Sequence, residues 1–231
     1  MKNLSFTRYF GAVAALFLLA GVAAPRANGA LVTYYNFDDS DLTSDTGPAT
    51  PPPLQTTMIT KSAAGTSSFV TGTGINLAPG DTVTTNKALQ MAASGNANSS
   101  FQFSVTSTGL ANLSLSFATA LTGNFDNEIV AVSINGGAFT TILNIPSSSA
   151  PTFTQESISN IAGTGNQASV TFRFTFTGNG SVSGTGTLDN IQVNTVPEPA
   201  TVTSGVLALL ALCWHQRRRF FKRRELLSFQ V

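Results

Sequence analysis

The feature that most constrains this chain is a strict alternation of apolar and polar residues. Val170, Phe172, Phe174 and Phe176 are separated by Thr171, Arg173 and Thr175. Phe101, Phe103 and Val105 alternate with Gln102, Ser104 and Thr106, and Leu113, Leu115 and Phe117 with Ser114 and Ser116. Side chains on a strand point to opposite faces at a period of two, whereas a helix needs a period near 3.6. Each run therefore reads as a strand with one buried and one wetted face. Ile129–Ile134 and Phe139–Ile145 flank Asn135-Gly136-Gly137, and Asn-Gly supplies the positive φ of a tight hairpin turn. Val32, Tyr34, Tyr35 and Phe37 mark a first strand, and Leu188, Ile191 and Val193 a last one. No stretch between 31 and 195 combines a helical period with caps. The pattern predicts an all-β fold, an antiparallel two-sheet sandwich of jelly-roll type. About eleven phenylalanines in this span would fill the space between the sheets.

Charge is scarce and segregated. Charged residues make up 10% of the chain, against roughly 25% in an ordinary soluble domain. Lys2, Arg8 and Arg26 lie near the start, and Arg217, Arg218, Arg219, Lys222, Arg223 and Arg224 near the end. Between them Lys61, Lys87 and Arg173 share residues 30–195 with Asp38, Asp39, Asp41, Asp45, Asp81, Asp126, Glu128, Glu156 and Asp189, a balance of 3 − 9 = −6. Nucleic acid is excluded as a partner, because displacing its counterions needs clustered Lys and Arg. The single Cys213 and single His215 both lie beyond this span. Ser-His-Asp and Cys-His nucleophile systems and Cys/His zinc sites are thereby excluded from it, and no catalytic residue is assigned. Glu128 and Glu156, its two glutamates, read as solvated strand-edge charges. Their use as a hydrolytic carboxylate pair, a glycoside hydrolase, is a remote alternative.

The ends carry addressing signals. Lys2 and Arg8 precede an apolar run from Gly11 to Ala24, and Ala27-Asn28-Gly29 places small residues at −3 and −1 of a cut that frees Ala30. This order is that of a secretory signal peptide over residues 1–29, handled by Sec export machinery and signal peptidase. At the other end Val196-Pro197-Glu198-Pro199 precedes an apolar stretch, Ala200 to Trp214, and then Arg217-Arg218-Arg219. Fifteen residues make a helix of about 22 Å, short of a hydrocarbon core of about 30 Å. The arginines can snorkel past the interface and hold that end cytoplasmic.

The ordered triple of Val196-Pro197-Glu198-Pro199, apolar helix 200–214 and Arg217–Arg219 resembles the PEP-CTERM protein-sorting domain, over residues 196–219. Such proteins occur in Gram-negative bacteria that make exopolysaccharide. The resemblance implies recognition by exosortase, a membrane-embedded transpeptidase. It also implies an inner-membrane-anchored precursor and release of the domain to the cell surface or extracellular matrix. The prolines fit such handling, since they hold the segment extended. The family usually ends soon after the arginines, whereas here a basic tail, 220–231, continues. A plain membrane-anchored envelope protein is the alternative. The opening Leu31–Asp39 and closing Gly186–Val193 are similar to the first and last strands of exported PEP-CTERM sandwiches, and the latter also to the terminal strand of carbohydrate-binding jelly rolls.

Asp39, Asp41, Thr43 and Asp45 recur every second residue as in a calcium loop, and Asp189 on the last strand could meet Asp39. A structural Ca²⁺ is therefore a candidate, held by Asp39, Asp41, Asp45 and Asp189; no other cofactor is implied. Trp214 lies in the apolar segment and Tyr34 and Tyr35 are the only tyrosines of residues 30–195. That removes a Trp-type sugar platform but leaves a hydrogen-bonding groove for exopolysaccharide open. The leading expectation is a non-catalytic, exported surface or matrix protein; a carbohydrate-binding jelly-roll module is its main alternative.

Overall fold

The computed structural model describes residues 29–45, 54–61, 66–82, 86–92, 98–122, 125–146, 152–178, 184–196 and 210. Residues up to 28 of the expected signal peptide, including Ala27, lie outside the described residues, as do Pro197–Pro199, Arg217–Arg219, the tail 220–231 and, Leu210 apart, the apolar segment 200–214. Among the described residues no helix is long and apolar enough to cross a membrane.

The described strands are β1 (Leu31–Tyr35), β2 (Thr60–Lys61), β3 (Thr66–Thr71), β4 (Lys87–Ala92), β5 (Ser99–Val105), β6 (Leu113–Thr122), β7 (Phe125–Ile134), β8 (Thr140–Pro146), β9 (Thr154–Ile161), β10 (Val170–Gly178) and β11 (Thr185–Thr195). One sheet runs β3-β4-β11-β6-β9, with β1 also paired to β11; the other runs β2-β5-β10-β7-β8. From β4 onward each step of the chain changes sheet except β7 to β8. That exception is the expected hairpin, with Asn135 at φ 51° and Gly136 at φ 75°. The expected antiparallel two-sheet sandwich is what forms.

The alternating runs explain the core. Register places Phe172 opposite Phe103 and Phe174 opposite Phe101, so β5 and β10 present one continuous aromatic face. Phe117 of the facing sheet meets Phe174 edge-on, with ring centroids 5.0 Å apart at 89°. Phe103 touches Tyr35 at 5.1 Å and Phe172 at 5.6 Å. Edge-to-face and tilted pairs of this kind suit the ring quadrupole. Gly186 of β11 makes room for this face, because a Cβ there would stand 2.3 Å from the Phe176 ring.

β11 has two different neighbours along one edge. Its residues 185–188 pair with β4, and residues 191–194 with β1. The ladder to β6 on the other edge shifts register between Asp189 and Gln192, and Asn190 stands at φ 49°. This bulge falls between β4 and β1, where no strand pairs with Asp189 and Asn190 on that edge. The β3–β4 connection, residues 72–82, fills the place. Asn76 donates from Nδ2 to the Asn190 carbonyl at 2.6 Å, and Gln192 and Gln155 donate to Asn76 at 2.6 and 2.9 Å. Ala78 packs on Leu31 and Tyr34. The segment thus roofs the outer face of the six-stranded sheet from β1 to β9.

On the far side Gln55 bonds the Thr106 backbone in both directions, at 2.5 and 2.8 Å. Its own amide donates to the Val32 carbonyl at 2.9 Å. One segment therefore ties β1 to the end of β5.

Replacing Phe174 with Ala should cost about 3–5 kcal/mol of stability, as for other buried aromatic truncations. Gly186→Ala should cost about 1–3 kcal/mol through overpacking against Phe176. Chemical denaturation followed by tryptophan-independent far-UV circular dichroism checks both; an unchanged midpoint for either refutes the packing described.

Candidate functional site

Two regions of the surface carry chemistry, one on each sheet. The first is the seam where the roof segment meets the β11 bulge. Asp189 is 1% exposed; its Oδ2 accepts the Thr73 amide at 2.7 Å and its Oδ1 the Asn190 amide at 2.8 Å. Gly72 is required here, because a Cβ would lie 2.5 Å from Asp189 Oδ2 and 2.7 Å from the Lys87 backbone. Asn190 Nδ2 donates to the carbonyls of Thr73 and Ile75 at 2.7 and 2.8 Å. The Tyr34 hydroxyl donates to Asp81 Oδ2 at 2.7 Å and lies 2.9 Å from Asn190 Oδ1. A small recess lined by Asn36, Asp38, Thr73, Asn86, Asp189 and Asn190 opens beside them.

The four candidate calcium ligands occupy different places. Asp39 and Asp41 are exposed and accept amides of their own loop, from Asp41 and Thr43. Asp45 accepts the Asn36 amide at 2.6 Å. Asp189 stands apart from them, and the carboxylates whose charge it feels most are Asp38 and Asp81 rather than Asp39. Among the described residues no three acidic, His or Cys side chains are placed to hold one ion together. What the seam does instead is bond its carboxylates to backbone amides. The one-residue difference between Asp38 and Asp39 follows from the sharp turn there, with Phe37 at φ 61° and Ser40 at φ 65°.

Glu128 corrects the expectation of a solvated charge. It faces inward from β7 and is 0% exposed. Thr119 of the opposite sheet donates its hydroxyl to Glu128 Oε2 at 2.5 Å, while Oε1 has no partner. Glu156 is half-buried and paired opposite Phe117, and its charge acts on Glu128. The two glutamates therefore approach one another through the sandwich. Glu128 is enclosed, with no surface on which a substrate could meet it.

Burial raises three carboxyls above their usual range: Asp45 is pushed up to about 6, and Asp189 and Glu128 each to about 8. Desolvation is the largest cause in all three; for Asp189 the charges of Asp38 and Asp81 add to it. The Tyr34 hydroxyl is likewise pushed up by burial and by Asp81, and Tyr35 is pushed up to about 12.

The second region is the outer face of the five-stranded sheet, open at Thr60, Gln102, Ser104 and Thr141 and covered at Ala131 and Ser133 of β7, where Ser133 donates to the Gly137 carbonyl of the returning turn. Thr60 pairs with Gln102, Gln102 with Arg173, Arg173 with Ala131, and Ala131 with Thr141. These residues form one row across all five strands. Ser104, Thr171 and Ser133 form the adjoining row, and Ser104 and Thr171 bond through their hydroxyls at 2.7 Å. Arg173 lies at the centre. Its guanidinium carbon stands 3.7 Å from the centroid of the half-buried Phe139 ring, and its Nε has no hydrogen-bond partner. The alternation of β10 put Arg173 outward, but nothing in the sequence pattern brought Phe139, from beyond the hairpin turn, over it.

No family model matches the chain, and no curated protein matches it. Solved structures do resemble it. The carbohydrate-binding module TmCBM61, bound to β-1,4-galactotriose, aligns at TM-score 0.44 and 13% identity over 69% of this chain and 94% of that one. The CBM22-1 xylan-binding domain of Xyn10C from Paenibacillus barcinonensis aligns at 0.44 and 12% over 76% and 99%. A carbohydrate-binding module of the β-sandwich superfamily aligns at 0.44 and 9% over 72% and 63%. Galactotriose and xylan are ligands of those proteins.

A carboxyl whose pKa is raised by folding keeps a proton that the unfolded chain has released. Its contribution to stability is complete below the unfolded value, near pH 4, and is lost as pH rises through the folded value. Asp45, Asp189 and Glu128 thus make the domain more stable at pH 5 than at pH 8.5. Glu128→Gln should flatten that decline. Melting temperatures across the pH range check this, and a wild-type domain more stable at pH 8.5 refutes it.

Proposed function

We propose that the chain is an exported, non-catalytic β-sandwich that binds polysaccharide on the outer face of its five-stranded sheet and acts at the cell surface or in the extracellular matrix. One observation carries the reading: the two outer faces are treated differently. The six-stranded sheet is roofed by residues 72–82, so that Asp189, Asn190 and Gln192 are buried. The five-stranded sheet leaves Thr60, Gln102, Ser104, Thr141 and Asn144 exposed. A plane of hydroxyls and amides offers donors and acceptors at the strand spacing of about 4.8 Å. Sugar hydroxyls need both kinds of partner. The absence of His and Cys from residues 30–195 and the enclosure of Glu128 support binding over turnover.

Delivery follows from the ends of the chain. The proposed leader and the proposed sorting signal leave the fold side by side. The Ala30 amide donates to Thr195 Oγ1 at 2.9 Å, and the Thr195 amide donates to the Ala30 carbonyl at 2.9 Å. A Cβ on Gly29 would fall 1.3 Å from the Thr195 carbonyl oxygen. Only glycine fits at that position, and a cut after Gly29 leaves Ala30 in place beside β11. The Pro-Glu-Pro motif begins at Pro197, two residues after β11 ends, and its prolines suit an exosortase that takes an extended substrate. This reading combines the PEP-CTERM resemblance with the juxtaposition of residues 30 and 195.

Two measurements test the proposal. A glycan array probed with the full chain in mild detergent should show retention of at least one polysaccharide, and retention of none refutes the binding reading. Mass spectrometry of the protein in the outer fraction of the producing cells should find a chain starting at Ala30 and lacking residues 220–231. An intact tail there refutes sorting.

A further inference from the structure

We propose that Arg173 and Phe139 form the subsite at which the open sheet face takes the carboxylate of an acidic sugar, so that the polysaccharide bound is a polyuronate. This rests on the glycan-binding reading above and gives it a chemical class.

Arg173 is a cation without a counter-ion. Among the described residues no carboxylate pairs with it and no side chain or carbonyl accepts from its guanidinium; its one close partner is the Phe139 ring, at 3.7 Å. A partly buried guanidinium normally finds an acceptor, because an enclosed donor left unpaired costs the hydrogen bond it made to water. Stacking on an aromatic ring compensates only part of that cost. It also fixes the plane of the fork, so little freedom is lost when an anion arrives. A planar fork held in place matches a carboxylate, which can accept two parallel N–H bonds.

The surroundings favour an anion at this point although the domain is acidic as a whole. Asp38, Asp45, Asp81 and Asp189 interact with one another's charges at the roofed seam, on the six-stranded sheet. Asp39 and Asp41 belong to the same loop. Two packed sheets lie about 10 Å apart, and charges beyond about 8 Å are largely screened at physiological salt. Glu128 points inward and is enclosed. The exposed acid nearest along the strands is Asp126, five residues from the Ala131 that pairs with Arg173, or about 16 Å at 3.3 Å per residue. The row Thr60, Gln102, Arg173, Ala131, Thr141 offers hydroxyls and an amide on either side of the cation for the sugar's own hydroxyls. Ala131 is itself buried on the β7 side, so an anion reaches the guanidinium from the β5 side, where Gln102 and Ser104 are exposed.

The test uses the full chain in mild detergent against three immobilised glycans: polygalacturonate, dextran sulfate and unsubstituted galactan. The expected result is retention on polygalacturonate that weakens by about tenfold or more in Arg173→Gln, and nearly as much in Arg173→Lys, because an ammonium cannot form the paired bonds. Phe139→Leu should weaken it by several-fold, about the loss expected from one cation–π contact. Raising salt to about 0.5 M should weaken the wild type and leave Arg173→Gln little changed. Melting temperatures equal to the wild type confirm that the variants are folded, as expected of a half-exposed position.

Retention on galactan with no dependence on Arg173 overturns this inference and leaves the glycan-binding reading standing. Retention on dextran sulfate alone, or equal retention of Arg173→Gln on polygalacturonate, also overturns it. Retention on none of the three, together with an empty glycan array, overturns both.

Discussion

Everything in this fold leans on the burial of β11. Its residues from Gly186 to Val193 are all buried, so the peptide groups of that stretch have no water to fall back on and must find partners in the protein. β6 serves one edge. The other edge is divided between β4 and β1, which come from distant parts of the chain. At the division the ladder is interrupted, and there the roof segment is obligatory. Thr73, Asn76 and the Asn190 side chain satisfy the polar groups that no strand reaches. The seam of carboxylates and amides is thus a solution to a hydrogen-bonding problem before it is anything else. Asp189 is buried because it caps an interrupted strand.

That origin explains why the seam was poorly legible in the sequence and the core well legible. β5, β6, β10 and the β7–β8 hairpin are half-buried and regular, and an undisturbed period of two survives in their residues. The bulge at Asp189–Asn190 breaks that parity. Alternation counted through it cannot say which side Asp189 faces or whether Asp38 or Asp39 lies near it. β4 was hidden for another reason: Lys87-Ala88-Leu89-Gln90-Met91-Ala92 is rich in strong helix formers. It is a strand because β3 and β11 pair with both its edges, and tertiary pairing overrides so weak a propensity. β9 carries only Ile158 and Ile161 as apolar residues and pairs with β6 through a register shift, so its pattern is diluted twice. Arg173 was visible only as a spacer between phenylalanines. Its partnership with Phe139 depends on how the hairpin folds back over the sheet, which no local pattern encodes.

The sandwich also separates its electrostatic tasks. Acids concentrate on the six-stranded side, where burial holds Asp45 and Asp189 partly protonated near neutral pH. The open sheet keeps a single central cation. Had the same charges been mixed across both faces, Arg173 would have found a carboxylate and the outer plane would be neutralised. The low overall charge of the chain sharpens the effect, since few other groups compete for that guanidinium. With the acids gathered on one side, screening confines each charge to its own face.

Residues 30–195 contain no cysteine, so no disulfide braces them. Stability must come from the interior, and the aromatic face of β5 and β10 against Phe117, Phe125 and Tyr35 supplies it. The same interior holds Glu128, a carboxyl with one oxygen bonded by Thr119 and the other unpartnered. The Thr119 hydroxyl also lies 3.2 Å from the Thr187 carbonyl on β11. One hydroxyl therefore links the buried acid of the open sheet to the buried strand of the roofed one. Ionising Glu128 acts on a polar contact between the two sheets, at Thr119, whose hydroxyl also meets the buried strand β11.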